Sequence, residues 1–352
     1  MAMTPEAVQL RFDNRILDAR VSANAAVAKL FSAVFELAVG QLAELDFWRI
    51  PTPALIGWEF PGDEHEQFAL NYFDRETAWL SQTGDVHLEM ALAADFERVY
   101  DVHTVFRREE NVTARHMTEF TTLEIMWAIK RDWTEIMEFS EKFIISMTHA
   151  LQNCERYSKL TKAARRIYPR AGDFKLGLDD KGRMVRLKFS EAKQILRDVL
   201  GRQTDDLVDI TKEEEAILGK YLASDESIVG PATDIFFVTN FPRSTRPYNV
   251  YASRDNDVDT HSVDIIMCGQ EISTGYQCIH DYKELRHAMA TRKHPIDADS
   301  VAWKPFVEAH EVGMPPLGGV AIGLNRFLQG FLGAADIRET VLFPRDASRL
   351  RP

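Results

Sequence analysis

Two β-rich runs, "RVYDVHTVFRREE" and "HMTEFTTLEIMWAI", flank the polar turn "NVTAR" between residues 98 and 129. Alternating apolar and β-branched residues on both sides of a short polar turn commit this stretch to an antiparallel hairpin. Two further apolar runs follow, "DIFFVTNFP" and "SVDIIMCGQEIS", and then the glycine-rich "PPLGGVAIGLNRF". Helical patterns lie among these runs but do not separate them in a βαβ rhythm. The sheet is therefore expected to be largely antiparallel, in an α+β fold.

The helices have their own signatures. "SANAAVAKLFSAVFELAVGQLAEL" places Val27, Leu30, Phe31, Val34, Phe35, Ala38 and Leu42 at three- and four-residue spacing, which makes a long amphipathic helix fit to cover a sheet or to meet a second copy of the chain. "TEIMEFSEKFIISMTHALQNC", "SEAKQILRDVL", "TKEEEAILGKYLA" and "DYKELRHAMATRK" are also helical. With 45% hydrophobic residues among 352, one large catalytic domain spanning 1–352 has ample core. Residues 156–188, rich in Lys, Arg and Gly, are expected to form an irregular insertion. Residues 57–67, "GWEFPGDEHEQ", are expected to be a polar loop.

Charge and cysteine usage narrow the function. A formal charge of −12 disfavours an extended phosphate backbone as partner. Three cysteines, Cys154, Cys268 and Cys278, have no framework spacing, which points to a reducing, cytoplasmic compartment. No continuous run of about 18 apolar residues offers a membrane span. The absence of GxxxxGK[ST] excludes a P-loop ATPase.

Chemistry concentrates in the hairpin and in "GQEISTGYQCIHD", residues 269–281. The first carries Arg107 and Glu109, expected on one face of a strand, then Arg115 and His116 after the turn, then Phe120. Guanidinium groups grip phosphate, a ring stacks on a base, and a carboxylate accepts from an exocyclic amine, so the set suits a nucleotide. In the second stretch Cys278 could line a pocket, act as a nucleophile, or join Cys268 and His280 at a metal. The cysteine and histidine spacing is not that of a zinc site.

These residues resemble the class II aminoacyl-tRNA synthetase catalytic core, in its aspartyl/asparaginyl branch. "RFDNRILDAR" is similar to the approach to that domain, and the helix ending in "RIPTP" resembles motif 1, the dimer motif. "VFRREENVTARHMTEFTTLE" resembles motif 2. "GMPPLGGVAIGLNRF" with "IRETVLFPRD" resembles motif 3 and the C-terminal signature. The resemblance implies a six- or seven-stranded antiparallel sheet flanked by helices, a homodimer, and activation of a carboxylate by ATP to an acyl-adenylate. It implies that Arg107 holds the α-phosphate, Arg115 and His116 hold the γ-phosphate, Phe120 and Arg326 sandwich adenine, and Glu109 reads its amino group. Asp264 and Glu271 match acidic Mg²⁺ ligands, with Thr274 at a position usually Ser.

The pocket for the acid departs from that pattern. Cys278 stands where the family has the Arg that grips the aspartate side chain, and Leu88 where it has the assisting Lys. Glu124 and Met126 replace Asp and Glu, Tyr276 fills a Gly or Ala position, and Asn325 replaces an acid before Arg326. Gln82 and Gln277 match residues around the substrate amino group. Losing both cations would leave a buried substrate carboxylate unpaired, at a cost of about 3–5 kcal/mol. The sequence therefore predicts an AMP-forming ligase that adenylates an amino acid or related acid other than aspartate. With no anticodon-binding module expected before residue 11 and an acidic body, tRNA is expected to be an unlikely partner, and the acceptor an amine or hydroxyl. The alternatives are an aspartyl/asparaginyl-like enzyme acting on tRNA, or a non-catalytic sensor of amino acid or ATP.

Overall fold

The computed structural model describes residues 5–61, 67–224, 229–256 and 258–351; part of the 57–67 loop, residues 62–66, lies outside the described residues. The N-terminal half comprises helices α1 (Pro5–Asp13), α2 (Arg15–Ala19) and α3 (Ser22–Glu44), strands β1 (Trp48–Arg49), β2 (Leu55–Ile56), β3 (Ala69–Tyr72) and β4 (Glu76–Leu80), then α4 (Asp85–Ala93), β5 (Arg98–Phe106), β6 (Glu119–Ala128), α5 (Thr134–Asn153) and α6 (Glu155–Ala164). The rest comprises β7 (Val185–Lys188), α7 (Phe189–Gln194), α8 (Lys212–Leu222), β8 (Ile235–Thr239), β9 (Ser262–Met267), β10 (Gln270–Cys278), α9 (Tyr282–Thr291), α10 (Lys304–Val312), β11 (Leu317–Gly323) and α11 (Leu324–Leu332).

The main sheet has eight strands in the order β1-β5-β6-β11-β10-β9-β8-β7, against the six or seven expected. Its interior is antiparallel throughout; the parallel pairs β1–β5 and β7–β8 lie at its two edges. Residues 156–188 are only partly irregular. They supply α6, which packs on α3, and β7, the edge strand itself. The four residues "VRLK" were too short a run to stand out from their basic surroundings.

Alternation along the strands divides the sheet into two faces. Leu123 and Ile125 of β6 and Val320 and Ile322 of β11 point into the main core, beneath Leu30 and Val34 of α3, Ile144 and Met147 of α5, and Phe327 and Phe331 of α11. Each such side chain, once fully buried, contributes about 1.5–3 kcal/mol. Among the described residues α3 is the one helix long and apolar enough to cross a membrane. Eight of its side chains, among them Leu30, Val34, Ala38 and Leu42, are buried in the protein. The opposite residues, Phe120, Thr122 and Glu124 of β6 and Ala321 and Gly323 of β11, floor a cleft of about 390 Å³.

Candidate active site: a cleft with two unlike ends

At one end of the cleft stand Arg107, Glu109, Arg115, His116, Phe120, Lys212 and Arg326. Arg107 and Glu109 are not on a strand as expected. β5 ends at Phe106, so both belong to the connection to β6, tied to it where Arg107 N donates to Thr118 O at 3.0 Å. Phe120 does lie on β6. Arg115 pairs with the carboxylate of Glu215 and donates to Lys212 O at 3.1 Å. His116 is held between Thr113 Oγ1 at 2.6 Å and Lys212 Nζ at 2.9 Å. Burial, then the surrounding cations Lys212, Arg326, Arg115 and Arg107, push its imidazole down to about 4. Burial also lowers Arg326, with Glu271 opposing and Arg107 adding to the effect. Four permanent cations crowding one another are poised for a polyanion such as a triphosphate.

Beside them lie Asp264, Glu271 and Thr274. Thr274 pairs across the strands with Asp264, and Glu271 with Ile266, so all four share a face. Glu271 and Thr274 are three residues apart, and in a regular strand they would face opposite ways. A register shift between Glu271 and Ser273 brings both to the cleft. Arg246 donates to Asp264 Oδ2 at 2.6 Å and to Thr274 Oγ1 at 3.4 Å, with its guanidinium 3.6 Å from the centre of the Phe241 ring. Burial pushes the Asp264 carboxyl up to about 7, Arg246 opposing and Glu271 reinforcing. Asp264 Oδ1 has no hydrogen-bond partner. Two mutually repelling carboxylates with an orphaned oxygen fit a hard divalent cation such as Mg²⁺.

The far end is built differently from the expectation. Gln82, Glu124 and Tyr276 line the cleft; Leu88, Met126, Gln277 and Cys278 do not. Leu88, Met126 and Cys278 are packed with Leu92, Val99, Val250 and Leu317 in an apolar cluster behind the Tyr276 ring. Leu88 and Cys278 are fully buried there, away from the cleft surface. Burial, then Glu89 and Asp85, holds the Cys278 thiol well above its ordinary range, which removes the nucleophile reading. Gln277 alternates to the other face and meets His261 Nδ1 at 2.8 Å.

In their place the floor presents acids. Glu124 accepts from Thr83 Oγ1 at 2.8 Å and from Gly84 N at 2.6 Å, and meets His103 Nε2 at 3.1 Å. The approach to Gly84 depends on its missing side chain, since a Cβ would stand 2.8 Å from Glu124 Oε2. Burial disfavours the charge on His103, but the Glu124 hydrogen bond and charge outweigh it and raise the imidazole. Asp85, at the first turn of α4, accepts from Tyr276 OH at 2.7 Å. Burial, then Glu124, pushes its carboxyl up to about 7.

Sequence reasoning missed Lys212, Glu215, Arg246, Asp85 and His103. Asp85 lies within "QTGDVHL", beside the Gln82 that was singled out. Lys212 directly follows Thr211, which opens α8 with a capping box to Glu214. Arg246 and His103 carried no local signal. Asn325 has a structural part, accepting from Thr121 N at 2.8 Å and donating to Thr340 Oγ1 at 3.1 Å.

An antiparallel sheet whose cleft joins a cationic end, a carboxylate pair and a small acyl pocket is the arrangement of a class II synthetase core. The profile of tRNA synthetases class II (D, K and N) matches residues 7–347, and the chain belongs to that family, close to its aspartyl/asparaginyl branch. It is 32% identical over 342 residues to the cytoplasmic aspartate–tRNA ligase of Mus musculus, covering 97% of this chain and 64% of that protein. The aspartyl-tRNA synthetase of Entamoeba histolytica superposes with a TM-score of 0.82 at 29% identity, over 100% of this chain and 64% of that one. For the fold alone, asparaginyl-tRNA synthetase of Pyrococcus horikoshii with asparaginyl-adenylate gives a TM-score of 0.82 at 24% identity, over 99% of this chain and 74% of that one. The chain thus spans about 64% of the length of the aspartate–tRNA ligases it matches. Members of this family are adenylate-forming ligases that use ATP and Mg²⁺. The expectation that tRNA is an unlikely partner is overturned, because relatives matching 97% of the chain are tRNA ligases. Net charge averages over a whole surface, whereas recognition depends on the local field.

Proposed function

We propose that this chain activates an α-amino acid with ATP and transfers the aminoacyl group to tRNA, as an aspartyl/asparaginyl-tRNA synthetase-like enzyme whose acid is not aspartate. In the first step a carboxylate oxygen of the acid attacks the α-phosphorus. The bond to the bridging oxygen breaks, and pyrophosphate carries away the electron pair. Arg107 holds the α-phosphate oxygens and compensates charge developing there. Arg115 and His116 meet the far phosphate, and its arrival displaces Arg115 from Glu215. Phe120 and Arg326 clasp the base, with Glu109 accepting from its amino group. Asp264 and Glu271, with the Thr274 hydroxyl, would hold Mg²⁺, which when bound neutralises phosphate oxygens.

The observation that carries this reading is the polarity of the cleft, cationic at one end and closed by Gln82, Asp85 and Tyr276 at the other. The exclusion of aspartate rests on the same closure. Among the described residues no Lys or Arg lines the acyl end. Half-exposed Phe35 on α3, and a groove of about 450 Å³ over Phe47, Trp127, Phe139 and Phe143, support a homodimer meeting along α3. Two assays test the proposal: ATP–pyrophosphate exchange over a panel of amino acids, and charging of total tRNA. Exchange with an amino acid other than aspartate, and its transfer to tRNA, are expected. Exchange with aspartate alone overturns the specificity. Exchange that leaves every tRNA uncharged overturns the acceptor, and silence overturns the activation step.

A further inference from the structure

The acyl end of the cleft has a charge that its own surroundings leave unbalanced. Glu124 is satisfied: it takes two donors from the Thr83–Gly84 turn, and His103 brings it a third with positive character. Asp85 has no such partner. It receives neutral hydroxyls only, from Tyr276 and Thr83, and stands near the negative charges of Glu124 and Glu89. The cations of the cleft, Arg107, Arg115, Lys212 and Arg326, belong to its nucleotide end.

A second observation is independent of the acids. Gln82 lines the same pocket and is only 6% exposed, yet neither its Nε2 nor its Oε1 has a hydrogen-bond partner. A buried amide with both ends free is costly unless something in the pocket completes it. The depth of the pocket is also fixed. The Tyr276 ring closes it, and the space beyond is packed with Leu88, Met126, Cys278 and Leu317.

We propose that this pocket selects an α-amino acid with a short side chain ending in an ammonium group, which Asp85 and Tyr276 receive at the floor while Gln82 completes its hydrogen bonds with the acid's polar atoms. The proposal rests on the adenylation reading and names its substrate class. A carboxylate side chain would meet Asp85 and Glu124 with no Lys or Arg among the described residues lining that end to offset them. A neutral side chain would leave Asp85 with hydroxyl partners alone. An ammonium group repairs both. Sites built around a buried polar partner discriminate strongly against ligands that lack it.

The test pairs each diamino acid with its neutral isostere: 2,3-diaminopropionate with 2-aminobutyrate, and 2,4-diaminobutyrate with norvaline, with aspartate alongside. ATP–pyrophosphate exchange gives kcat/KM, and calorimetry on the same full chain gives affinity without turnover. At least one diamino acid should exceed its isostere by about a hundredfold or more, with aspartate inactive. Asp85→Asn should shrink that ratio to below about tenfold. Preference for the neutral isosteres or for aspartate overturns the proposal. So does an equal loss for both members of each pair in Asp85→Asn, because Asp85 would then read only the α-ammonium common to all amino acids. If exchange is silent, calorimetry separates the two ideas. Selective binding of a diamino acid would break the adenylation reading and keep the subsite, whereas binding without selectivity would overturn the subsite.

Discussion

The nucleotide end and the acyl end of the cleft share a floor of β6, β10 and β11, but they handle charge in opposite ways. At the first, cations crowd one another, and burial together with those cations pushes the His116 imidazole down. At the second, Asp85 has hydroxyl partners, no Lys or Arg among the described residues lines that end, and a tyrosine fills the depth. Both ends hold an excess that a ligand would relieve, and the signs differ. A cleft with ends of opposite sign would orient a dipolar ligand electrostatically before any close contact forms.

Four measurements break or sharpen that contrast. Arg107→Ala should lower exchange by at least about a thousandfold while circular dichroism stays unchanged; turnover near wild type would remove Arg107 from the phosphate site. Leu88→Lys with Cys278→Arg, which by sequence alone would restore a grip on aspartate, should instead destabilise the chain by about 3–5 kcal/mol in urea unfolding. Both positions are fully buried behind Tyr276. Gain of aspartate exchange in that pair without enlarging the pocket through Tyr276→Ala would show that the apolar cluster opens to substrate.

Asp85 gives a pH signature. It titrates near 3.8 in the unfolded chain and near 7 in the folded one. The folded state therefore holds more protons across that window, and stability falls as pH rises through it. Asp85→Asn should be more stable than wild type at pH 8, on the order of 2 kcal/mol after discounting for water in the cleft, and the two should converge near pH 4. Equal stability at all pH values would mean that the carboxylate is solvated. The smallest effect belongs to Thr211→Ala. It removes the hydroxyl that accepts from Glu214 N at 3.2 Å, should cost about 1 kcal/mol, and should raise KM for ATP a few-fold by loosening Lys212. An unchanged KM would set Lys212 apart from the phosphates.

The two ends were not equally legible in the sequence. At the nucleotide end, Arg107, Glu109, Arg115, His116 and Phe120 line the cleft from within residues 107–120, so contiguity stood in for space. The strand assignment of Arg107 and Glu109 failed there because the turn is wider than "NVTAR" alone. At the acyl end the sequence showed what had been lost, the Arg and Lys replaced by Cys278 and Leu88, and not what had been built. His103 reaches Glu124 only because β5 and β6 pair with Asp101 opposite Glu124. Arg246 reaches Asp264 from a coil before β9. Such partners are set by tertiary register, which no local spacing reveals. The eighth strand escaped for a simpler reason, being four residues on an edge.

The register shift in β10 gives the strand's length a meaning of its own. Shortening the chain by one residue between Glu271 and Ser273 would straighten the strand and turn Glu271 from the cleft toward the helices, with Glu271 itself unchanged. Substitutions at neighbouring positions can be absorbed, but an insertion or deletion there cannot. In descendants of this chain, the count of residues separating Glu271 from Tyr276 should therefore drift less than their identities.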